Sequence, residues 1–197
     1  MKDLNKKIFK ATFWSSLSEI LSKIISPVTT IILARLLTPE AFGVIATITM
    51  IISFTQIFSD AGFQKFIIQH EFQNKVEKYK FVNVAFITNL IFSFSLWLII
   101  IINSEYLALI TGAKGLGIAI SVACVSIPIS GFSSIHMALY KRELDFKTLF
   151  NVRLVGICIP FLITIPLAYL LKSYWALIAG TIITNLVNAI ILTYFSR

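Results

Sequence analysis

The sequence predicts an all-α integral membrane protein with six transmembrane helices, on three observations. Hydrophobic residues make up 57% of its 197 residues and charged ones only 13%, whereas soluble domains carry about 25% charged residues. The polar residues left over could not cover a soluble globule, so lipid must solvate much of the surface. Six apolar stretches reach the roughly 20 residues that cross the hydrocarbon core: about 11–34, 41–64, 81–103, 116–138, 149–171 and 174–195. The connections between them are short, and Lys and Arg gather in alternate ones. The whole chain, 1–197, reads as a single six-helix unit.

The first span follows a basic start, Met1 to Lys10, that imitates the n-region of a signal peptide. The helix after it is too long for an h-region, is interrupted by Glu19 and Lys23, and lacks an A-x-A cleavage site, which predicts a retained span. The turn Leu37-Thr38-Pro39-Glu40 leads into the second span, with Thr38 as cap, Pro39 at the first position and Glu40 in the first turn. A glycine-rich turn, Thr111 to Gly117, opens the fourth span and fits neither nucleotide-binding glycine motif. Pro27, Pro128, Pro160 and Pro166 fall inside spans, where they are tolerated as kinks.

Orientation follows from the basic residues. One side collects Lys2, Lys6, Lys7 and Lys10, then Lys65, Lys75, Lys78 and Lys80, then Lys141, Arg142 and Lys147, and finally Arg197. The other side has Arg35, Lys114 and Lys172. The bias predicts that both termini are cytoplasmic. The net charge of +8 is spent on this pattern and does not point to nucleic acid as a partner. Cys124 and Cys158 lie in apolar runs and predict neither disulfide nor metal ligation.

Within the spans, polar residues recur every three or four positions, which places them on one side of a helix. The first span carries Ser15, Ser18, Glu19, Ser22, Lys23, Ser26, Thr29 and Thr30; the second carries Thr49, Ser53, Gln56 and Asp60. The sixth carries Thr181, Thr184, Asn185 and Asn188, and the fourth a weaker line of Ser126, Ser130, Ser133 and Ser134. The third and fifth spans show no comparable stripe. The pattern predicts a polar surface built mainly from spans one, two and six, with four contributing.

A charged residue near the bilayer centre costs on the order of 3 kcal/mol on insertion scales and should face protein or water. Glu19 and Lys23 stand one turn apart, so they are either a self-neutralising pair or part of a cavity in which Lys23, with Arg35 nearer the surface, meets an anion. Asp60 fits a cation or proton site as well as a helix-end ion pair with Lys65, and His136 is better read as a packing histidine than as a proton relay. No His, Asp or Glu cluster has metal-ligand spacing, no nucleophile–base set converges, and the loops are too short for a nucleotide-binding domain. The sequence therefore predicts no catalysis, no metal and no cofactor, and favours a mover of solutes.

The segment Ile32-Leu33-Ala34-Arg35-Leu36-Leu37-Thr38-Pro39-Glu40-Ala41-Phe42-Gly43 resembles the LARLLxPxxFG signature of Wzx-type polysaccharide flippases, in the multidrug/oligosaccharidyl-lipid/polysaccharide exporter superfamily. Phe58-Ser59-Asp60-Ala61-Gly62-Phe63 resembles the family's F-x-D-x-G-[FL], and Tyr140-Lys141-Arg142-Glu143-Leu144-Asp145-Phe146-Lys147 its basic Q/K-R-E-x-x-F-K/R loop. The resemblance covers the whole chain and implies an O-antigen or other lipid-linked oligosaccharide exporter of the bacterial inner membrane. It further implies one six-helix lobe of a two-lobe bundle that works by alternating access around a central cavity. By this analogy Lys23 and Arg35 hold the pyrophosphate of the substrate, and Glu19, Gln56, Asp60, Asn185 and Asn188 line the cavity. The family's second lobe does not follow here, so the expectation is a truncated product of a longer gene or a parallel homodimer of two copies. Two rivals accompany this reading: a cation-coupled drug antiporter of the same superfamily, needing an acidic residue such as Asp60, and a non-transporting membrane fragment.

Overall fold

A computed structural model describes the backbone of residues 2–60 and 62–195, and the side chains of residues 6–194 apart from 60 and 61. Among the described residues every regular element is helical. In order these are α1 (Lys2–Leu36), α2 (Pro39–Asp60), α3 (Phe63–Gln69), α4 (Lys75–Ile102), α5 (Ser104–Ile110), α6 (Gly117–Ala123), α7 (Ser126–Arg142), α8 (Phe146–Ile159), a π-helical turn (Pro160–Thr164), α9 (Ile165–Leu171) and α10 (Trp175–Phe195). They combine into six stretches long and apolar enough to cross a membrane: Lys6–Leu36, Pro39–Ser59, Lys75–Ile102, Gly117–Arg142, Phe146–Leu171 and Trp175–Tyr194.

The ends of these spans follow local chemistry. Thr38 caps α2 as expected, its Oγ1 accepting from Ala41 N at 3.4 Å. The second span stops at Asp60, short of residue 64, because Gly62 takes a left-handed φ of +81° and sets α3 off as a separate short helix. Asn74 caps α4, its side chain accepting from Glu77 N, so the third span begins six residues earlier than hydropathy suggests (75 against 81). Pro128 has no N–H for the Cys124 carbonyl, which takes Ile127 N at 2.9 Å instead, and the fourth span breaks there into α6 and α7. Pro160 and Pro166 bracket the π-helical distortion of the fifth span. Pro27, by contrast, sits inside an unbroken α1.

Helix α1 packs on α8 and α9, α8 on α10, and α10 on α7. Helix α7 in turn packs on α4, α3 and α2. The two connections of the basic side, 61–74 and 143–145, meet at what we term the basic end of the bundle. There Arg142 Nη1 donates to the carbonyls of Ile67 (2.6 Å), His70 (2.6 Å) and Ile68 (3.4 Å), while its guanidinium lies 4.5 Å from the centre of the Phe72 ring. Lys78 pairs with Glu143 at 2.7 Å. Asp145 caps α8 through Thr148 N (3.3 Å) and Thr148 Oγ1 (2.6 Å). At the opposite end Leu33, Leu37, Ala41, Ala168, Ala176 and Leu177 join the outer ends of spans one, two, five and six in one apolar cluster.

Candidate functional site

Between α2, α4, α7 and α10, in the half of the bundle nearer the basic end, lies a cavity of about 620 Å³. The end of α2 brings Ser53, Gln56 and Ser59, and the start of α3 brings Gln64 and Lys65. Asn89 comes from α4, Ser130, Ser133 and Ser134 from α7, and Asn185 and Asn188 from α10. The lining is made of amides and hydroxyls, with Ile57, Met137 and Leu192 among them and Lys65 the one cation in its described part. No carboxylate stands in the described lining.

The polar contacts divide these groups into fixed and free. Ser59 and Ser93 share a hydrogen bond of 2.5 Å that ties span two to span three. Asn89 Nδ2 donates to the Gly131 carbonyl at 2.9 Å and to Ser134 Oγ at 2.8 Å, tying span three to span four. Ser130 and Ser133 return their hydroxyls to carbonyls of their own helix. The amide oxygens of Asn89 and Asn188 are buried and have no partner. Groups of this kind accept or donate to hydroxyl-rich ligands and hold no fixed charge.

The candidates read from the sequence separate into two places. Gln56, Asn185 and Asn188 meet in this cavity. The Asp60 side chain lies outside the described residues. Glu19, Lys23 and Arg35 are all on α1, exposed, and outside the cavity lining. Glu19 does not pair with Lys23: its carboxylate takes Arg153 Nη1 at 2.5 Å across the seam between α1 and α8, with both side chains about half exposed. Lys23 and Arg35 have no ion-pair partner among the described residues. Several hydroxyls of the α1 stripe bond back to their own helix, Ser22 to the Ser18 carbonyl and Thr30 to that of Ser26. His136 is held by packing, with its ring against Phe86 and Phe132 and Nδ1 3.2 Å from the Phe132 carbonyl.

Spans three and five, which show no polar stripe in the sequence, still carry two polar features that periodicity does not register. Asn89 and Ser93, one turn apart on α4, are buried at 1% and 0% exposure and face α7. A lone Asn in a hydrocarbon-length run is itself a signal, but two small polar residues do not make a stripe. Arg153 stands about two turns inside the fifth span, and an isolated Arg falls outside a tally of loop charges. A second groove of about 620 Å³, lined by Leu90, Pro128, Ile129, Phe132, Leu186 and neighbours, is apolar. Acyl chains suffice to fill it.

Residues 32–197 match the family described as "Polysaccharide biosynthesis protein". The chain belongs to that family. It is 24% identical, over 98% of its own length, to an uncharacterized membrane protein in the cps region of Klebsiella pneumoniae, and covers 39% of that protein. It is 26% identical, over 93% of its length, to the succinoglycan biosynthesis transport protein ExoT of Rhizobium meliloti (strain 1021), and covers 36% of it. The chain thus spans less than two-fifths of the length of either relative. No solved structure matches. A multi-pass membrane protein of a polysaccharide biosynthesis and transport family is consistent with a cavity of amides and hydroxyls and with the motifs at the span ends.

Proposed function

We propose that the chain translocates lipid-linked oligosaccharide across the bacterial inner membrane, as one six-helix lobe of a two-lobe alternating-access transporter with a cytoplasmic N-terminus. The observation that carries this reading is the cavity lining: hydroxyls and amides from four spans, one lysine, and no described carboxylate. Such a surface suits sugar hydroxyls, whereas a cation-coupled drug antiporter would call for acidic groups in the lining. The family match and a relative named for succinoglycan transport support the same class of cargo.

The diphosphate of the carrier falls to the exposed cations of α1. Lys23 and Arg35 are unpaired among the described residues, and the Glu19–Arg153 pair holds a third cation on the adjoining helix. Charges uncovered at this depth need protein or water over them, so a second lobe or a second copy facing α1 would enclose the anion site. The test is deletion of the gene followed by complementation. Accumulation of lipid-linked oligosaccharide in the cytoplasmic leaflet with loss of surface glycan, both restored by the native gene and not by Lys23→Ala, is the expected result. A deletion strain with unchanged surface glycan and unchanged lipid-linked pool would refute it.

A further inference from the structure

Two amide oxygens of cavity-lining residues have no partner among the described residues. Asn89 is 1% exposed, and both of its amide hydrogens are committed, one to the Gly131 carbonyl and one to Ser134 Oγ. Its orientation is fixed, because a carbonyl only accepts and the atom facing it must be the nitrogen. Ser134 Oγ spends its own hydrogen on the same carbonyl at 3.2 Å, so it has none to return. Asn89 Oδ1 is left as a pure acceptor, buried and unanswered. Asn188 Oδ1 on α10 is also buried without a partner among the described residues, though no hydrogen bond holds its Nδ2; the amide sits where Gly156 of α8 has no side chain, and a Cβ there would stand 3.1 Å from Nδ2 and 3.2 Å from Oδ1.

We infer that this cavity is a saccharide subsite contained within the six-helix unit, where hydroxyls of an uncharged pyranose donate to Asn89 Oδ1 and Asn188 Oδ1. The inference rests on the polysaccharide-transport reading and deepens it by naming which part of the substrate this unit holds. An orphaned acceptor needs a donor, and a sugar hydroxyl donates there while accepting from a free amide such as Gln56 or Asn185 beside it. A uronic acid would bring a carboxylate toward these two acceptors, and Lys65, the one described cation of the lining, stands on α3 rather than on either of their helices. An amino sugar would donate, but no described carboxylate in the lining balances its charge. A bare monovalent cation also fits carbonyl oxygens. The two oxygens, however, sit on α4 and α10, separate helices that both pack on α7, which favours a ligand with the reach of a ring. The volume of about 620 Å³ lies within the roughly 300–1,000 Å³ of pockets that enclose small organic ligands.

The test is saturation-transfer NMR on the full chain in lipid nanodiscs with methyl β-D-glucopyranoside, using the methyl glycosides of glucuronic acid and glucosamine as competitors. The expected result is saturable transfer to the neutral glycoside, little competition from the charged ones, and binding about tenfold weaker in Asn188→Ala. Gly156→Ala, which displaces the Asn188 amide without removing it, should weaken binding too, with the helical circular dichroism unchanged in both variants. Absence of saturable transfer, equal competition by all three sugars, or binding unaffected in both variants would overturn the subsite. So would sodium-23 line broadening that disappears in Asn188→Ala while no glycoside binds, since that identifies a cation site. Export measured alongside separates the two layers. Normal export by Asn188→Ala with an inactive Lys23→Ala overturns the subsite and leaves the transport reading standing. A deletion without export defect removes the transport reading, while selective neutral-glycoside binding would still support the subsite.

Discussion

Arg142 offers the sharpest test of how the basic end is held together. Helix α3 is only seven residues long, and its last carbonyls have no partner within the helix. Arg142 supplies two hydrogen bonds of 2.6 Å and one of 3.4 Å to carbonyls at residues 67–70, and stacks on Phe72. A hydrogen bond from a charged donor contributes roughly 1.5–3 kcal/mol and an exposed cation–π contact about 0.5–1 kcal/mol. These carbonyls sit at the membrane surface, where water can replace the donor, so the lower ends of both ranges apply and the 3.4 Å bond counts for little. Arg142→Ala should therefore loosen α3 by about 3–4 kcal/mol, which speeds its amide hydrogen exchange roughly 150- to 900-fold through local opening. Arg142→Lys, which keeps the charge but loses the planar fork, should fall between. Lys78→Ala serves as control: it removes the neighbouring ion pair to Glu143, whose side chain is 60% exposed, and such pairs contribute roughly 0–1 kcal/mol. Unchanged α3 exchange in Arg142→Ala, or an equal effect from Lys78→Ala, would refute the reasoning.

Three further outcomes follow from the same geometry. Arg153→Gln strands the Glu19 carboxylate on α1 and should lower the folded amount recovered from membranes, with Glu19→Gln restoring most of it in the double variant; a double variant no better than Arg153→Gln alone would contradict the pairing. Gly131→Ala would set a Cβ within 2.8 Å of Ser93 Cβ at the crossing of α4 and α7, an overpacking that costs about 1–3 kcal/mol. Its melting temperature in detergent should drop; an undiminished melting temperature in Gly131→Ala would count against so close a crossing. Ser59→Ala leaves Ser93 without its 2.5 Å partner in a buried site and should destabilise by about 1–2 kcal/mol, with Ser59→Ala/Ser93→Ala nearer wild type; a double variant worse than the sum of the singles would refute the bond's role.

The six spans were legible because crossing hydrocarbon demands a length and an apolarity that few other segments share. Their ends were legible only where a cap announces itself, as Thr38 does. The early starts at Lys75 and Phe146 depend on capping by Asn74 and Asp145, which hydropathy does not register. Periodicity placed Gln56, Asn185 and Asn188 on inward faces, and these do converge on one cavity. It could not say which span packs on which, so the stripe of α1 was grouped with those of spans two and six when α1 in fact lies against α8. The same gap hid the Glu19–Arg153 pair, because the partner is 134 residues away and on another span. Asn89 was concealed by an apolar run in which a single amide carries no period.

The motif residues and the cavity residues are largely different sets, and this difference bears on what the family resemblance can tell. Arg142 holds the 61–74 connection, Glu143 pairs with Lys78 of α4 and Gly62 supplies a left-handed turn, while Thr38 and Asp145, at variable positions of their motifs, cap α2 and α8. At Arg142 and Gly62 the residue type answers a backbone need that recurs whatever the cargo: orphaned carbonyls to satisfy and a positive φ to accommodate. Ser59 is the overlap, and it too is spent on a helix-to-helix bond. Gln56, Asn89, Asn185 and Asn188 lie outside every such motif, and none of them caps a helix or closes a turn. Asn89 does bond across to α7, yet its oxygen and that of Asn188 stay unused by the fold. A buried acceptor that the fold does not satisfy is a standing cost, and a ligand that donates to it offsets that cost only while bound. On the proposed reading, selectivity for one glycan over another would have its physical basis at these four amides, and transplanting them between chains with the same motifs should carry the preference with them.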